Sequence, residues 1–277
     1  MADVGDLLRR HVIVVTVGLS ILEKTLNNSE YQHIYDRWMG AGISGGQLSR
    51  FDLAETEQGT GSSEQLEVER KCFDRLRDCP DISREVRRKK QNRYSAEVSS
   101  LYLILKHKNL HHGDCRVTLI ATDSADGIIA ARINKRLIAH CIFGCPRQTA
   151  LEWRHKTDDG NHESLGQISI IRVPGLQVKN ALLLKTQGME ELERAIVSEG
   201  DKFSGGEKII NVTGGFKGII PIVVSIAWLH GWLPTYLYEE TDQLTDLPRP
   251  TWVKQEEKHK GPATNIVVYG SLESSDG

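Results

Sequence analysis

The residues best suited to chemistry lie toward the C-terminal end, in the stretch Asn211-Val212-Thr213-Gly214-Gly215-Phe216-Lys217. An apolar run, Ile209 to Val212, leads into it, and the uncharged segment Gly218 to Leu229 follows. Two adjacent glycines let backbone N–H groups approach a ligand closely. They also open onto a helix N-terminus, where aligned peptide dipoles favour an anion. Lys217 adds a mobile positive charge in the first turn. A second turn, Thr16-Val17-Gly18-Leu19-Ser20, follows another apolar run and carries one glycine and two hydroxyls. Neither turn fits the common nucleotide fingerprints. The Walker A pattern G-x-x-x-x-G-K-[ST] is absent from the first and G-x-G-x-x-G from the second. Tight strand–helix packing is the plain alternative role for Gly214-Gly215.

Other reactive side chains are dispersed. Asp123 and Asp126 flank the end of a strand-like run, where Asp123 is placed to touch a ligand or metal and helix N-capping is expected of at least one of the two. His111-His112 falls in a loop with no H-E-x-x-H around it, and no G-x-S-x-G nucleophile elbow occurs. The five cysteines, Cys72, Cys79, Cys115, Cys141 and Cys145, form no C-x-x-C pair, so bystander thiols are expected rather than a metal site.

The elements that must carry these groups follow from hydrophobic patterning. "HVIVVT" is β-branched and apolar, as in a buried parallel strand. "CRVTLIATDS" (115–124), "SLGQISIIRVPGL" (164–176), "KIINVTGG" (208–215) and "PTYLYEET" (234–241) give further strands, the last of them closing the series, and "HCIFG" (140–144) reads as a short one. Helices are expected over 28–40, 64–78, 125–139, 188–200 (closed by Gly200) and along the apolar segment after Lys217. Another is expected from a cap at Asp81 or Ser83 to about His107, carrying the basic run Arg84, Arg87, Arg88, Lys89, Lys90 and Arg93. That run reads as a solvated face, with a nucleic-acid contact as the alternative. Residues 40–65 are rich in Gly, Ser, Thr and Glu and read as a loop or insertion.

Alternating strands and helices predict an α/β fold, Rossmann-like and doubly wound, with a mainly parallel sheet and a helical and loop insertion after the first unit. In such sheets ligands bind beyond the carboxyl ends of the strands. Both glycine turns belong to that edge. The domain is expected over 1–250, with the insertion at about 40–110 and a tail at 251–277. The 277 residues are 39% hydrophobic, enough for a substantial core, and the net charge of −2 suits neither a nucleic-acid coat nor DNA binding. "MADVGDLLRR" does not resemble a signal peptide and Gly218–Leu229 is too short to span a bilayer, so a soluble cytoplasmic protein without membrane association is expected.

Three segments together, "HVIVVTVGLSIL", "IINVTGGFKGIIPIVVSIAWLHG" and "PTYLYEET" followed by "LPRPTW", resemble the CARF domain, the CRISPR-associated Rossmann fold. The asparagine-x-threonine-glycine-glycine-x-lysine turn before an apolar helix is the most specific part, and Ser20 matches the Ser or Thr expected at the first-strand turn. The resemblance covers about 11–250. It implies a homodimer that binds a cyclic oligoadenylate, usually cyclic tetra-adenylate, across its two-fold axis. It implies ligand contacts from Thr16, Gly18, Leu19, Asn211, Thr213, Gly214, Gly215, Phe216 and Asp123.

The HEPN ribonuclease signature that often accompanies such domains is missing. Arg136-x-x-x-His140 is one residue too short for it. The chain is thus similar to the stand-alone ring nucleases of type III CRISPR systems, which cut the messenger and switch the response off. The implied mechanism uses no metal and no cofactor. The ribose 2′-OH attacks the adjacent phosphorus and leaves a 2′,3′-cyclic phosphate, with Lys217 and Ser20 as the catalytic pair. No histidine in either turn offers a general base. A sensor that binds without cutting, acting through its insertion, tail or a partner effector, is the alternative, and a domain for an unrelated nucleotide is a third.

Overall fold

The structure is a computed structural model that describes residues 11–25, 94–144, 167–177, 180–203, 205–238 and 243–250. The helices expected over 28–40 and 64–78, the basic run at 84–93, the insertion at 40–65 and the tail at 251–277 lie outside these residues.

Strand β1 (His11–Thr16) is central because its side chains allow nothing else. Val12, Ile13, Val14 and Val15 are all fully buried. β-branched side chains favour the extended backbone, and burial of each contributes about 1.5–3 kcal/mol. Ile13 and Val15 enter the core on one face of the sheet and Val12 and Val14 the core on the other, as the two-residue period of a strand requires. β1 pairs in parallel with β2 (Cys115–Ala121) on one side and β4 (Lys208–Asn211) on the other. β3 (Ile168–Arg172) extends the sheet beyond β2, and β5 (Leu233–Leu237) extends it beyond β4. β6 (Leu244–Asp246) closes the β5 edge in the antiparallel sense. The order β3-β2-β1-β4-β5-β6 is that of the doubly wound Rossmann-like sheet, mainly parallel as expected.

Helices α1 (Ser20–Thr25), α2 (Ala96–His107) and α3 (Ala125–Cys141) follow β1 and β2 and take part in the core on one face. Helices α4 (Met189–Asp201) and α5 (Ile220–Leu229) follow β3 and β4 and cover the other. The chain therefore winds outward from β1 in both directions. The switch point, where its direction reverses, lies between β1 and β4. Among the described residues no helix is long and apolar enough to cross a membrane.

Several sequence expectations are corrected. Residues 140–144 form no strand. α3 continues through Cys141, and the Ile142 and Phe143 N–H groups donate back to the Ile138 carbonyl, at 3.0 and 3.1 Å. Phe143 is buried, so its apolar character serves helix packing rather than a sheet. Neither aspartate caps α3. Ser124 does, accepting from the Gly127 N–H, while Asp126 sits in the first turn and accepts from the same N–H at 3.0 Å. α2 begins at Ala96 behind a Ser95 cap whose hydroxyl accepts from Val98 N–H at 3.1 Å. Gly200 does not close α4, which runs one residue further. It is a glycine because a Cβ there would lie 3.0 Å from the Trp232 ring. β5 is not the last strand. β6 follows it, held by a 3.0 Å ion pair from Lys108 to Asp246 and a hydrogen bond donated by the Trp228 indole to the Leu247 carbonyl.

α4 is preceded by a helical turn, Ala181–Leu183, and a π turn, Leu184–Gly188. Its start is pressed against the loop after β3. A Cβ on Gly188 would stand 2.4 Å from the Gly175 carbonyl oxygen and 2.9 Å from the Leu176 nitrogen. These are backbone atoms that cannot swing aside. In an open helix Gly→Ala gains up to about 1 kcal/mol, whereas overpacking costs about 1–3 kcal/mol. We expect Gly188→Ala to be destabilising by about 1–3 kcal/mol in denaturant unfolding. A stabilised variant would show that the two backbones separate freely.

Candidate functional site

The two glycine turns meet at the switch point. β1 ends at Thr16, and Val17 and Gly18 turn the chain into α1 at Ser20. β4 ends at Asn211, and Val212 to Phe216 lead to a short 3-10 turn, Lys217–Ile219, that runs directly into α5. The two backbones touch. A Cβ on Gly18 would be 2.8 Å from the Gly215 nitrogen. Gly215 has φ of 91°, the left-handed region that glycine adopts without strain. The Thr16 hydroxyl donates to the Gly214 carbonyl at 2.7 Å and stitches the turns together.

Beneath them lies a residue that neither motif contains. Glu97, in the first turn of α2, is fully buried. Its Oε1 accepts from the Gly18 N–H at 2.6 Å, and its Oε2 lies 3.4 Å from the Ser20 hydroxyl, which donates to it. A Cβ on Gly214 would stand 2.3 Å from Oε1. The carboxyl thus occupies the space that two glycines leave. No Lys, Arg or His among the described residues pairs with it. The other fully buried carboxylate, Glu199, is instead ion-paired with Lys202 and lies 3.6 Å from Arg116. Burial pushes the Glu97 carboxyl above the usual carboxylate range, against the pull of the Gly18 and Ser20 hydrogen bonds. An unpaired buried carboxylate is costly to keep.

The start of α2 carries several buried polar side chains, Ser95 at the cap, Glu97, Ser99 and Ser100, beside the core residue Val98. Ser95 donates to Asn134 of α3 at 2.6 Å, and Ser100 accepts from the Asn211 side-chain amide at 2.6 Å. α2 therefore sets polar groups under the β1 and β4 turns with its start, while Val98, Leu101, Ile104 and Leu105 enter the apolar core.

The segment Gly214–Lys217 carries the β4 turn from the buried Gly214 out to the exposed Phe216 and Lys217. Among the described residues, the N–H groups of Gly214, Gly215 and Phe216 donate to no acceptor. The 3-10 turn and α5 have no capping side chain and no acidic residue in their first turns, and Lys217 stands where an Asp or Glu would be favourable. Lys217 and Phe216 are exposed, and Gly218 lies under the Phe216 ring, which a Cβ there would meet at 2.5 Å.

The sequence-predicted residues separate into two groups. Gly18, Leu19, Ser20, Gly214, Gly215, Phe216 and Lys217 gather at the turns. Thr16, Asn211 and Thr213 are buried there, with side chains engaged inward: Asn211 Oδ1 accepts from Thr213 N–H at 3.1 Å, and Thr213 Oγ1 accepts from Leu237 N–H at 2.8 Å. Asp123 stands at the end of β2 in a 2.7 Å ion pair with Arg172, and accepts from Gly175 N–H at 3.0 Å. Its carboxylate organises the loop after β3. Cys115 and Cys141 are free thiols, and burial pushes Cys115 up to about 12. No cluster of three His, Cys, Asp or Glu fit for a metal occurs among the described residues. Glu97 was the residue sequence reasoning missed. In "YSAEVSS" it looks like an ordinary acid in a capped helix start.

A mainly parallel doubly wound sheet, with two strand-to-helix turns meeting at its switch point, makes this a Rossmann-like α/β protein. The chain belongs to the family described as CRISPR-associated protein (Cas_APE2256), whose model matches residues 92–250, more than half of its length. None of the curated proteins compared with the chain matches it.

The Glu97 shift makes stability depend on pH with a definite sign. The unfolded carboxyl titrates at the ordinary value and the native one above it. The native state therefore holds a proton that the unfolded state has released across that interval, and stability falls as pH rises through it. Glu97→Gln does not titrate. Thermal unfolding against pH should show the native protein losing stability relative to Glu97→Gln as pH rises above the ordinary carboxylate range. A difference that is flat, or that grows in favour of Glu97, would mean that the carboxyl is held ionised.

Proposed function

We propose that this CRISPR-associated protein is a CARF domain that binds a cyclic oligoadenylate, most simply cyclic tetra-adenylate, as a homodimer, and cleaves it as a ring nuclease that ends type III signalling. The observation that carries the reading is the uncapped start of the Lys217 turn and α5. Three amides there have no acceptor among the described residues, and a lysine occupies the position where the helix dipole disfavours a cation. An anion bound there would accept from those amides and lie at the positive end of the helix. A ring of phosphodiesters supplies such anions in symmetric copies, matching two copies of the turn about a two-fold axis.

In this reading the Gly214–Phe216 amides hold a bridging phosphate and Lys217 neutralises the charge that builds on it. Ser20 orients the ribose 2′-OH. Exposed Phe216 offers a face for an adenine to stack on. The 2′-oxygen forms a bond to phosphorus as the bond from phosphorus to the 5′-oxygen breaks. The 5′-oxygen takes a proton, and a linear product with a 2′,3′-cyclic phosphate results. Thr16, Asn211, Thr213 and Asp123 serve the site from behind, by fixing the turns and the neighbouring loop. The domain would extend over 1–250, with its insertion at about 40–110. Binding without cleavage, as a sensor, is favoured by one feature: neither turn contains a histidine to act as base.

Two experiments test this. Lys217→Ala should weaken binding of cyclic tetra-adenylate or lower its cleavage at least about tenfold, the loss of one charge-assisted contact of about 1.5–3 kcal/mol. Unchanged affinity and rate would remove the phosphate site from this turn. Incubation of radiolabelled cyclic tetra-adenylate with the protein in excess EDTA should still give the 2′,3′-cyclic phosphate product. Cleavage abolished by the chelator would replace this mechanism with a metal-dependent one.

A further inference from the structure

We infer that Glu97 is the proton acceptor of the cleavage reaction, reached through Ser20, so that the buried carboxylate supplies the base that both turns lack. The inference rests on the ring-nuclease reading and assigns a role to a residue outside both motifs. Three observations lead to it. The Ser20 hydroxyl donates toward Glu97 Oε2 at 3.4 Å, which turns the lone pairs of Ser20 Oγ away from Glu97. The other carboxylate oxygen is held at 2.6 Å by the Gly18 N–H, so the carboxyl cannot rotate freely. No cation among the described residues pairs with it, so its basicity is not neutralised, and burial raises it further. Such hydrogen bonds are commonly long before substrate arrives and tighten in the reacting complex.

The step balances. As the 2′-oxygen bonds to phosphorus, its proton passes to Ser20 Oγ, and the proton of Ser20 passes to Glu97 Oε2. The bond from phosphorus to the 5′-oxygen breaks, and that oxygen takes a proton from water. Glu97 then returns its proton to solvent through Ser20. Ser20 is the group that touches substrate, and Glu97 acts through it as a positioning and proton-holding residue. This also explains the glycine at 214. Any side chain there would displace the carboxyl from its place behind Ser20.

Glu97→Gln tests the idea with little change of shape. Its carbonyl can still accept from Gly18, but the amide facing Ser20 becomes a donor and reverses the hydrogen bond. Single-turnover cleavage of cyclic tetra-adenylate should fall by about 10²–10⁴-fold, the range of general-base catalysis. The dissociation constant for the 2′-fluoro analogue, which has no 2′-proton to give up, should stay within about threefold. Ser20→Ala should lose a similar factor, and the double variant should lose no more than either single one, as members of one relay do. A Glu97→Gln enzyme that cleaves at the native rate, or a double variant whose loss is the product of the singles, overturns the relay while leaving the ring nuclease standing. Native protein that binds the ring and never cuts it overturns both. A proton inventory of the native protein in mixed H2O and D2O needs no variant. A curved plot, two protons moving together, supports the relay, and a straight one overturns it.

Discussion

A carboxyl group without water around it dictates how the two turns meet. The turn after β1 gives Glu97 a backbone amide, from Gly18, and a hydroxyl, from Ser20. Removing a carboxylate from water costs several kcal/mol, even after relaxation, so the surroundings must fit it closely. Gly18 must offer its N–H at that point. Gly214 must have no side chain. Gly215 must take a positive φ so that its nitrogen passes beside Gly18. Each feature would be an oddity alone. Around Glu97 they form one arrangement, and a substitution at any of them is felt at the others.

The sheet makes this arrangement possible and confines it to one place. Between β1 and β4 two strands with opposite onward directions lie side by side, so there the two strand-to-helix turns meet. α2 crosses beneath β1, β4 and β5 with the polar groups of its start at that edge. Ser95, Glu97 and Ser100 tie it to α3, to the β1 turn and to Asn211. These directional contacts specify one placement of the helix start where an apolar contact would tolerate several.

Local pattern was enough to find the five parallel strands and both turns. The four apolar residues of β1, the glycine pair and the apolar start of α5 announce themselves within windows of ten residues. What failed, failed for physical reasons. "HCIFG" has strand-like composition, but α3 was still burying a face, and tertiary packing overrode propensity. β6 is three residues long, antiparallel and set among prolines and charges, so it has too little pattern to read. Asp123 looked available to a ligand because its Arg172 partner lies on a different strand. Glu97 could not be found by reading along the chain. Its partners Gly18 and Ser20 lie 79 and 77 residues away, and only the fold brings them together.

The placement of β1 has a consequence for how the chain is made. β1 is the innermost strand of the sheet, yet one of its two neighbours, β4, follows it by roughly 200 residues. At about 5–20 residues per second, the ribosome takes on the order of ten to forty seconds to deliver that partner. Throughout that time Val12 to Val15 have at most one flank paired, and the surface they will bury under α4 stays uncovered. Such a strand is prone to pair wrongly with another copy of itself. The hazard of mispairing at β1 therefore belongs to the growing chain, since in the finished fold β2 and β4 occupy both of its flanks.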